Sequence, residues 1–284
     1  MPYHVPIEVV EKEFPQFSVI SSLTPSEQKA AFHVRNSEGK DLCLKLISPK
    51  YDIDRLTREI HALQNLEHPN VVKLIEYTFT TKKTIQLHYI IEEFIDGKDL
   101  ADILKPAEPW PLINVATTFG QIAEGLSAIA AINVVHRDLK PQNIRVRANG
   151  EPVIIDFGLA RHLSLPDLTN TSNGADIGTP KYFAPEQFTG TKHDIDHRTD
   201  LFALGIIMYE ALTGFHPFYQ NGMSYENLNK AVCSGTDYLE YENFLNLPVK
   251  WQLLLSRLLE KERVRRPTNS SLVTKIICGL GEIQ

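Results

Sequence analysis

Cysteine is scarce in this sequence of 284 residues, and it contains no uninterrupted apolar run long enough to suggest a membrane span. The three cysteines, Cys43, Cys233 and Cys278, are odd in number and far apart, and they lack the spacing of a zinc site. A disulfide framework and a structural zinc are therefore not expected. The N-terminal stretch MPYHVPIEVVEKEF carries acidic residues and no apolar core, so it does not predict a signal peptide. We expect a cytoplasmic protein that does not contact a membrane.

Positive charge is also in short supply. The 29 lysines and arginines are outnumbered by 35 aspartates and glutamates, which gives a formal net charge of -6. Such a balance offers no general attraction to nucleic acid, so we expect no nucleic-acid partner. The chain is nevertheless long enough to bury a sizeable core.

The remaining pattern divides the sequence into a strand-rich first third and a helical remainder. The first part contains the strand-like segments FSVISSL, AAFHVRN, DLCLKLI, VVKLIEYTF and IQLHYIIEEF, interrupted by one helical segment, YDIDRLTREIHALQNL. After DGKD the helical patterns are long, at residues 112–132, 200–213, 224–233, 249–260 and 269–279. These periodicities predict an α+β protein with a small lobe of antiparallel strands and one helix, followed by a larger helical lobe.

Three polar motifs follow one another in the second part. They are HRDLKPQN at 136–143, DFG at 156–158 and APE at 184–186. Their order and intervals resemble the catalytic core of protein kinases, specifically the eukaryotic-like (Hanks-type) serine/threonine kinases. The resemblance extends over nearly the whole chain. It implies a two-lobed kinase domain over residues 14–284, with an N-lobe at about 14–94, a hinge at about 93–97, a C-lobe at about 98–284 and a short N-terminal extension, residues 1–13.

The resemblance implies ATP and Mg²⁺ as cofactors and assigns roles to four polar residues. Asp138 would orient the acceptor hydroxyl and take its proton, and Lys140 would place positive charge on the transferred phosphate. Asn143 and Asp156 would hold Mg²⁺ ions through oxygen atoms, the ligands that this cation prefers.

Two further catalytic residues are implied in the strand-rich part. Lys45 ends the strand-like segment LCLK, where it resembles the VAIK lysine that contacts the α- and β-phosphates. Glu59 lies fourteen residues on, in the predicted helix, and would be its ionic partner.

Glycine is missing where the family has its nucleotide loop, in SSLTPSEQKAAFHV at residues 21–34. Leu23 and Ala31 would flank the nucleotide, and the three glycine positions are taken by Thr24, Ser26 and Lys29. Glycine is favoured there because the backbone must approach phosphates closely. The loss of these glycines would weaken ATP binding or slow closure of the loop, with Lys29 supplying a charge and Ser26 a hydroxyl in place of backbone amides.

The predicted hinge raises a question of register. Backbone groups of Glu93 and Ile95 would bind the adenine edge, which places Glu92 at the gatekeeper position behind it. A slip of one residue would place Ile91 there instead. Because an unpaired buried charge is costly, Glu92 should reach Lys45 or another donor, or take up a proton.

The helical part carries the supporting and regulatory residues. Asp200 is expected to brace the catalytic loop, and Arg266 is expected to pair with Glu186 of APE. The form of the catalytic loop, together with Thr179, points to serine or threonine of a protein substrate as acceptor. By the same resemblance, Arg137 would meet a phosphate on the activation segment, where the candidate phosphosites are Thr169, Thr171 and Ser172, and we expect autophosphorylation there.

Two other functions remain open. A pseudokinase that acts as a scaffold would also lack the glycines, and a small-molecule phosphotransferase would share the two-lobed fold. The presence of Lys45, Asp138, Asn143 and Asp156 favours an enzyme over the scaffold, and the APE segment disfavours the phosphotransferase. The oligomeric state is not predicted.

Overall fold

The computed structural model describes residues 2–26, 29–49, 60, 63–64, 66–78, 88–156, 161–162, 180–189 and 195–281. The chain divides into two compact units. The first comprises Met1–Glu67 and Val72–Asp96, and the second comprises His68–Val71 and Gly97–Gln284. The first carries the strand-rich part of the sequence and the second the helical part, so the predicted α+β class is confirmed.

The first unit is built on a five-stranded antiparallel sheet with the strand order β1-β2-β3-β5-β4. Its strands are β1 (Phe17–Ser22), β2 (Lys29–Asn36), β3 (Asp41–Ile47), β4 (Leu74–Thr78) and β5 (His88–Glu93). The turn between β2 and β3 forms at NSEG, residues 36–39. There the side chain of Asn36 accepts the amides of Glu38 and Lys40, and Gly39 has a positive φ of 79°.

The two faces of this sheet differ in what covers them. A short helix, α1 (Ile7–Glu13), packs on one face, where Val10 and Phe14 join a buried cluster with Phe32, Leu42, Leu44, Leu46 and Ile91. Since side chains alternate along a strand, the opposite face carries Lys45 and Glu92 together with the apolar cluster of Ile47, Ile60 and Ile90.

The second unit is mainly helical. Its helices are α2 (Leu100–Ile103), α3 (Leu112–Ala131), α4 (Pro185–Phe188), α5 (His197–Thr213), α6 (Tyr225–Ser234), α7 (Glu242–Leu245), α8 (Val249–Leu258) and α9 (Ser270–Gly281). Nearly all of α5 is buried, so it forms the core, and α3 packs against both α5 and α9. Helix α5 begins where Asp196 accepts the amide of Arg198, and it ends at Gly214, whose positive φ of 77° suits a helix terminus. The long helices predicted here are confirmed.

Short strands carry the polar motifs of this unit. A three-stranded sheet has the order β6 (Gly97–Asp99), β8 (Ile144–Arg147) and β9 (Pro152–Ile154), and β7 (Val134–Val135) pairs with β10 (Arg161–His162). The turn between β8 and β9 contains Asn149 and Gly150, and Gly150 has a φ of 88°. The catalytic-loop sequence lies between β7 and β8. Within the ranges given above, no helix combines the length and the apolar character needed to cross a bilayer.

Candidate active site

The loop that carries HRD is held by one buried carboxylate, Asp200 in the first turn of α5. Its Oδ2 accepts the amide of His136 at 2.8 Å, and its Oδ1 accepts the amide of Arg137 at 2.9 Å. Burial raises the pKa of Asp200, and the charge of His136 and the two amides oppose that rise. Since the side chain is only 4% exposed, these amides replace the water that the carboxylate loses. The expected brace is confirmed.

The same two bonds hold an unfavourable backbone conformation. Arg137 has a φ of 68°, a left-handed value that costs a non-glycine residue about 1 kcal/mol. The carbonyl of Arg137 also accepts a bond from the side chain of Gln187 at 2.9 Å. The backbone on both sides of this residue is thus hydrogen-bonded, which directs the chain into Asp138.

Asp138, Lys140 and Asn143 form one hydrogen-bonded group. Lys140 Nζ lies 2.7 Å from Asp138 Oδ2, and Asn143 Nδ2 donates to the same oxygen at 3.0 Å and to the Asp138 carbonyl at 2.8 Å. The side chains of Asp138 and Lys140 are 13% and 17% exposed, so the pair is partly shielded from water. With Oδ2 engaged twice, Oδ1 is the oxygen of Asp138 that can take a proton from an acceptor hydroxyl.

The donors expected to hold Mg²⁺ are suitable in kind. Since the Nδ2 hydrogens of Asn143 are used by Asp138, its Oδ1 is the group available to a cation. The backbone of Ile155 joins Asp156 to this loop, because its amide donates to the Asn143 carbonyl at 2.8 Å and its carbonyl accepts His136 Nε2 at 3.1 Å. Asp156 itself has a φ of 60°, a strained value of the kind found at functional sites. An amide and a carboxylate oxygen fit a hard cation.

In the first unit, Lys45 is paired with Glu92. Lys45 Nζ lies 2.6 Å from Glu92 Oε2, and both side chains are 10% exposed. Glu92 is opposite Cys43 in the register of β3 and β5, on the face of Lys45, whereas Ile91 packs with α1 on the other face. The register therefore places Glu92, not Ile91, beside Lys45, and the expectation that Glu92 reaches this lysine is confirmed.

The loop without glycine is closed as a hairpin between β1 and β2. The amide of Leu23 donates to the Ala31 carbonyl at 2.8 Å, and the amide of Ser26 donates to the Lys29 carbonyl at 2.9 Å. The hydroxyl of Ser26 accepts the Lys29 amide at 3.1 Å, so it takes part in the turn. Lys29 is buried, and Ala31 is opposite Lys45 in the register.

At the predicted hinge, Glu93 pairs with the chain just before β4. Its amide donates to the Lys73 carbonyl at 3.0 Å, and its side chain accepts the Lys73 amide at 2.8 Å. Ile95 is buried.

Five of the predicted site residues lie outside the described residues: Glu59, Thr169, Thr171, Ser172 and Thr179.

The APE glutamate is held by a buried ionic group. Arg266 donates to both oxygens of Glu186, at 2.7 and 2.9 Å, and the hydroxyl of Thr199 donates to Oε1 at 2.7 Å. Arg266 also donates to the carbonyls of Glu260 and Arg198, and its guanidinium lies over the ring of Phe202, 4.7 Å from the centroid. The predicted pair is confirmed.

Sequence reasoning missed His216, which ties the loop after α5 to the segment before APE. Its Nε2 donates to the Lys181 carbonyl at 3.0 Å, and its Nδ1 accepts the amides of Phe218 and Tyr219 at 3.0 and 2.9 Å. Burial lowers its pKa to about 3, so the ring is neutral. The available signal was a histidine between Phe215 and Pro217, two residues after Gly214, the glycine that ends α5.

Substitution of Arg266 tests the ionic group. Arg266→Met leaves the buried Glu186 without its cation, and we expect a loss of about 4 kcal/mol in the free energy of unfolding, measured by urea denaturation. Arg265→Met is the matched control. Arg265 is 59% exposed and pairs only with Glu262 within the described residues, so its loss should stay under about 0.5 kcal/mol. Equal losses in the two variants would contradict this account.

The neutral His216 predicts a pH dependence. In the unfolded chain the imidazole takes up a proton below pH 6.5, whereas the folded chain resists protonation down to about pH 3. Stability from this group is therefore complete above pH 6.5 and falls as the pH falls, by about 2 kcal/mol at pH 5. His216→Asn should flatten this dependence in urea denaturation. Burial also raises the pKa of nearby Glu210 to about 7, and this group makes the protein less stable as the pH rises. The effect of His216 is therefore measured as the difference between the pH curves of the wild type and His216→Asn. Parallel pH curves would refute the assignment.

The sequence was compared with known protein families and proteins. The profile described as protein kinase domain matches residues 29–276. A protein named as a probable serine/threonine-protein kinase of Clostridium perfringens is 36% identical over 221 residues, which are 75% of this chain and 30% of that protein. The serine/threonine-protein kinase pkn2 of Myxococcus xanthus is 34% identical over 225 residues, 76% of this chain and 26% of the relative.

PknD of Mycobacterium tuberculosis, also named a serine/threonine-protein kinase, is 37% identical over 183 residues, 62% of this chain and 26% of that protein. The chain thus spans 26–30% of the length of these three curated relatives. Since the profile covers most of the chain and its motifs form the hydrogen-bonded groups described above, the chain belongs to the protein kinase domain family.

Proposed function

We propose that this chain is an ATP-dependent protein serine/threonine kinase, which transfers the γ-phosphate of Mg·ATP to hydroxyl groups of a protein substrate. The observation that carries the proposal is the group of Asp138, Lys140 and Asn143, in which a partly shielded carboxylate keeps one oxygen available. The names of the relatives, all of them serine/threonine kinases, support the reaction class.

The residues of the catalytic loop would act by position and charge. Asp138 accepts the proton of the substrate hydroxyl at Oδ1, and Lys140 and Asn143 hold the carboxylate in place through Oδ2. Lys140 also brings a positive charge to the place where negative charge is transferred. Asn143 and Asp156 offer oxygen atoms to Mg²⁺. When bound, Mg·ATP supplies the phosphoryl group and a divalent charge that stabilises its transfer.

The first unit would bind the nucleotide. Lys45 would contact the α- and β-phosphates, with Glu59 as its family partner, and the ion pair with Glu92 would hold the lysine at the sheet surface. A phosphate must compete with the Glu92 carboxylate for the ammonium group, so this pair would also set how tightly ATP is held. The carbonyl of Glu93 and the amide of Ile95 would bind the adenine edge, and Leu23 and Ala31 would contact the nucleotide from the loop.

Regulation would occur on the activation segment. Arg137 is the residue expected to meet a phosphate there, and Thr169, Thr171 and Ser172 are the proposed acceptors, with Thr179 placed beside the catalytic base. A phosphate on this segment would add charge and acceptor oxygens. We propose that the protein phosphorylates itself in this segment and that it acts in the cytoplasm.

One observation favours a second function, that of a nucleotide-binding scaffold with little or no transfer. The nucleotide loop has no glycine and is closed by hydrogen bonds on its β2 side, which would limit its approach to phosphates. The complete group around Asp138 favours the enzyme over this scaffold.

Replacement of the proposed base separates the two functions. We expect Asp138→Asn to lower transfer of radiolabelled phosphate from ATP to a generic protein substrate by at least about 1,000-fold, because the amide cannot take the proton. Binding of Mg·ATP should persist. Asp237→Asn, at an exposed aspartate of the same unit, should leave transfer unchanged. Mass mapping of the wild type should find phosphate between Asp156 and Glu186, and none there in Asp138→Asn.

The contrary outcomes are equally distinct. Binding of Mg·ATP by the wild type without any transfer would support the scaffold. Transfer to small molecules alone would overturn the assignment of a protein substrate, and phosphate found only outside residues 156–186 would overturn autophosphorylation of the activation segment.

A further inference from the structure

The residues before the first strand are packed against the sheet of the first unit. We call residues 2–14 the N-terminal brace. Val10 and Phe14 are buried in the apolar cluster on the face that α1 covers, and Tyr3 and Val5 pack against this cluster. The ring of Phe14 meets Tyr89 of β5 edge-on, with the centroids 5.0 Å apart. The brace therefore crosses the sheet from its edge strand to β5.

The brace also reaches the loop without glycine through a backbone hydrogen bond. The amide of Tyr3 donates to the carbonyl of Ser26 at 2.8 Å. On its other side, Ser26 is bonded to Lys29, through its amide at 2.9 Å and its hydroxyl at 3.1 Å. In the described part of the chain β1 is an edge strand, so Tyr3 approaches this part of the loop from the side that faces away from the sheet. Tyr3 occupies that position, so Ser26 is held from both sides.

The conformation of the loop makes its position depend on the hydrogen bond from Tyr3 to Ser26. None of the described loop residues, 23–26, has a positive φ, and Pro25 has a ring that restricts its own φ. A glycine loop folds onto a ligand through the freedom of its backbone, and this freedom is lacking in LTPS. The position of the loop must then come from the groups that hold it.

We propose that the N-terminal brace positions the nucleotide loop, and that the amide of Tyr3 is the positioning group. The packing of Val10 and Phe14 fixes the brace on the sheet. The hydrogen bond from Tyr3 to Ser26 then fixes the position of the loop relative to the brace. This proposal rests on the proposed kinase function, for which the loop must close on ATP. Loss of the bond weakens nucleotide binding and leaves the catalytic loop of the second unit unchanged.

Three variants of the full chain isolate the bond. Tyr3→Pro removes the donor hydrogen, Tyr3→Ala removes the ring and keeps the hydrogen, and His4→Pro places a proline at an exposed neighbour whose amide makes no hydrogen bond within the described residues. We expect Tyr3→Pro to raise the KM for ATP about fivefold, the size of one net backbone hydrogen bond, with kcat within about twofold of the wild type. The other two variants should keep the KM of the wild type.

Hydrogen exchange gives a readout that does not depend on activity. In Tyr3→Pro the amides of Ser26 and Lys29 should exchange faster, whereas those of Leu44 and Ile91 in the sheet should exchange as in the wild type. Equal KM and equal exchange in Tyr3→Pro and His4→Pro would overturn the proposal. So would faster exchange throughout the sheet, which would show a general structural role, or equal effects of Tyr3→Ala and Tyr3→Pro, which would assign the effect to the ring.

The two proposals fail separately. If the wild type transfers no phosphate, the kinase function fails, and exchange at Ser26 and Lys29 still decides whether the brace holds the loop. If the wild type transfers phosphate and Tyr3→Pro changes neither KM nor exchange, the brace alone fails.

Discussion

The hydrogen bonds between the Asp200 carboxylate and the amides of His136 and Arg137 are the constraint on which the candidate active site depends. If the two amides moved away, the buried Asp200 carboxylate would lose its hydrogen-bond donors, and an uncompensated buried charge destabilises the fold. The same bonds hold Arg137 in a left-handed conformation, which turns the chain so that Asp138 meets Lys140 and Asn143. Helix α5 is buried along nearly its whole length and gives Asp200 a rigid support.

A second buried charge acts on the same loop from another direction. Glu186, held by Arg266 and Thr199, fixes the start of α4, and the next residue, Gln187, donates to the carbonyl of Arg137. The side chain of Gln187 thereby connects the APE helix to the catalytic loop. A shift of the start of α4 would therefore reach Arg137, the residue next to Asp138.

The residues of the candidate site were largely predictable, because the motifs HRDLKPQN, DFG and APE identify them by residue type and spacing. The roles of Asp200 and Arg266 as supports follow from their resemblance to family positions, and the geometry agrees. The face of the sheet that carries Glu92 was not decidable from the sequence, because a slip of one residue moves a strand side chain to the opposite face. The pairing of Cys43 with Glu92 places Glu92 on the face of Lys45. His216 was missed because its partners are backbone groups, which the sequence GFHPF does not identify. The packing of residues 2–14 was missed because a helix of seven residues is too short for a clear periodicity.

The most direct test of this account is the turnover of Asp200→Asn. The amide keeps one acceptor oxygen but presents a donor to the other backbone N–H, so one of the two bonds is lost and Asp138 shifts. We expect kcat to fall about 100-fold, the effect of a small misplacement of a catalytic group, while the KM for ATP stays within about twofold. An unchanged kcat in a folded Asp200→Asn protein would contradict the claim that this carboxylate positions Asp138.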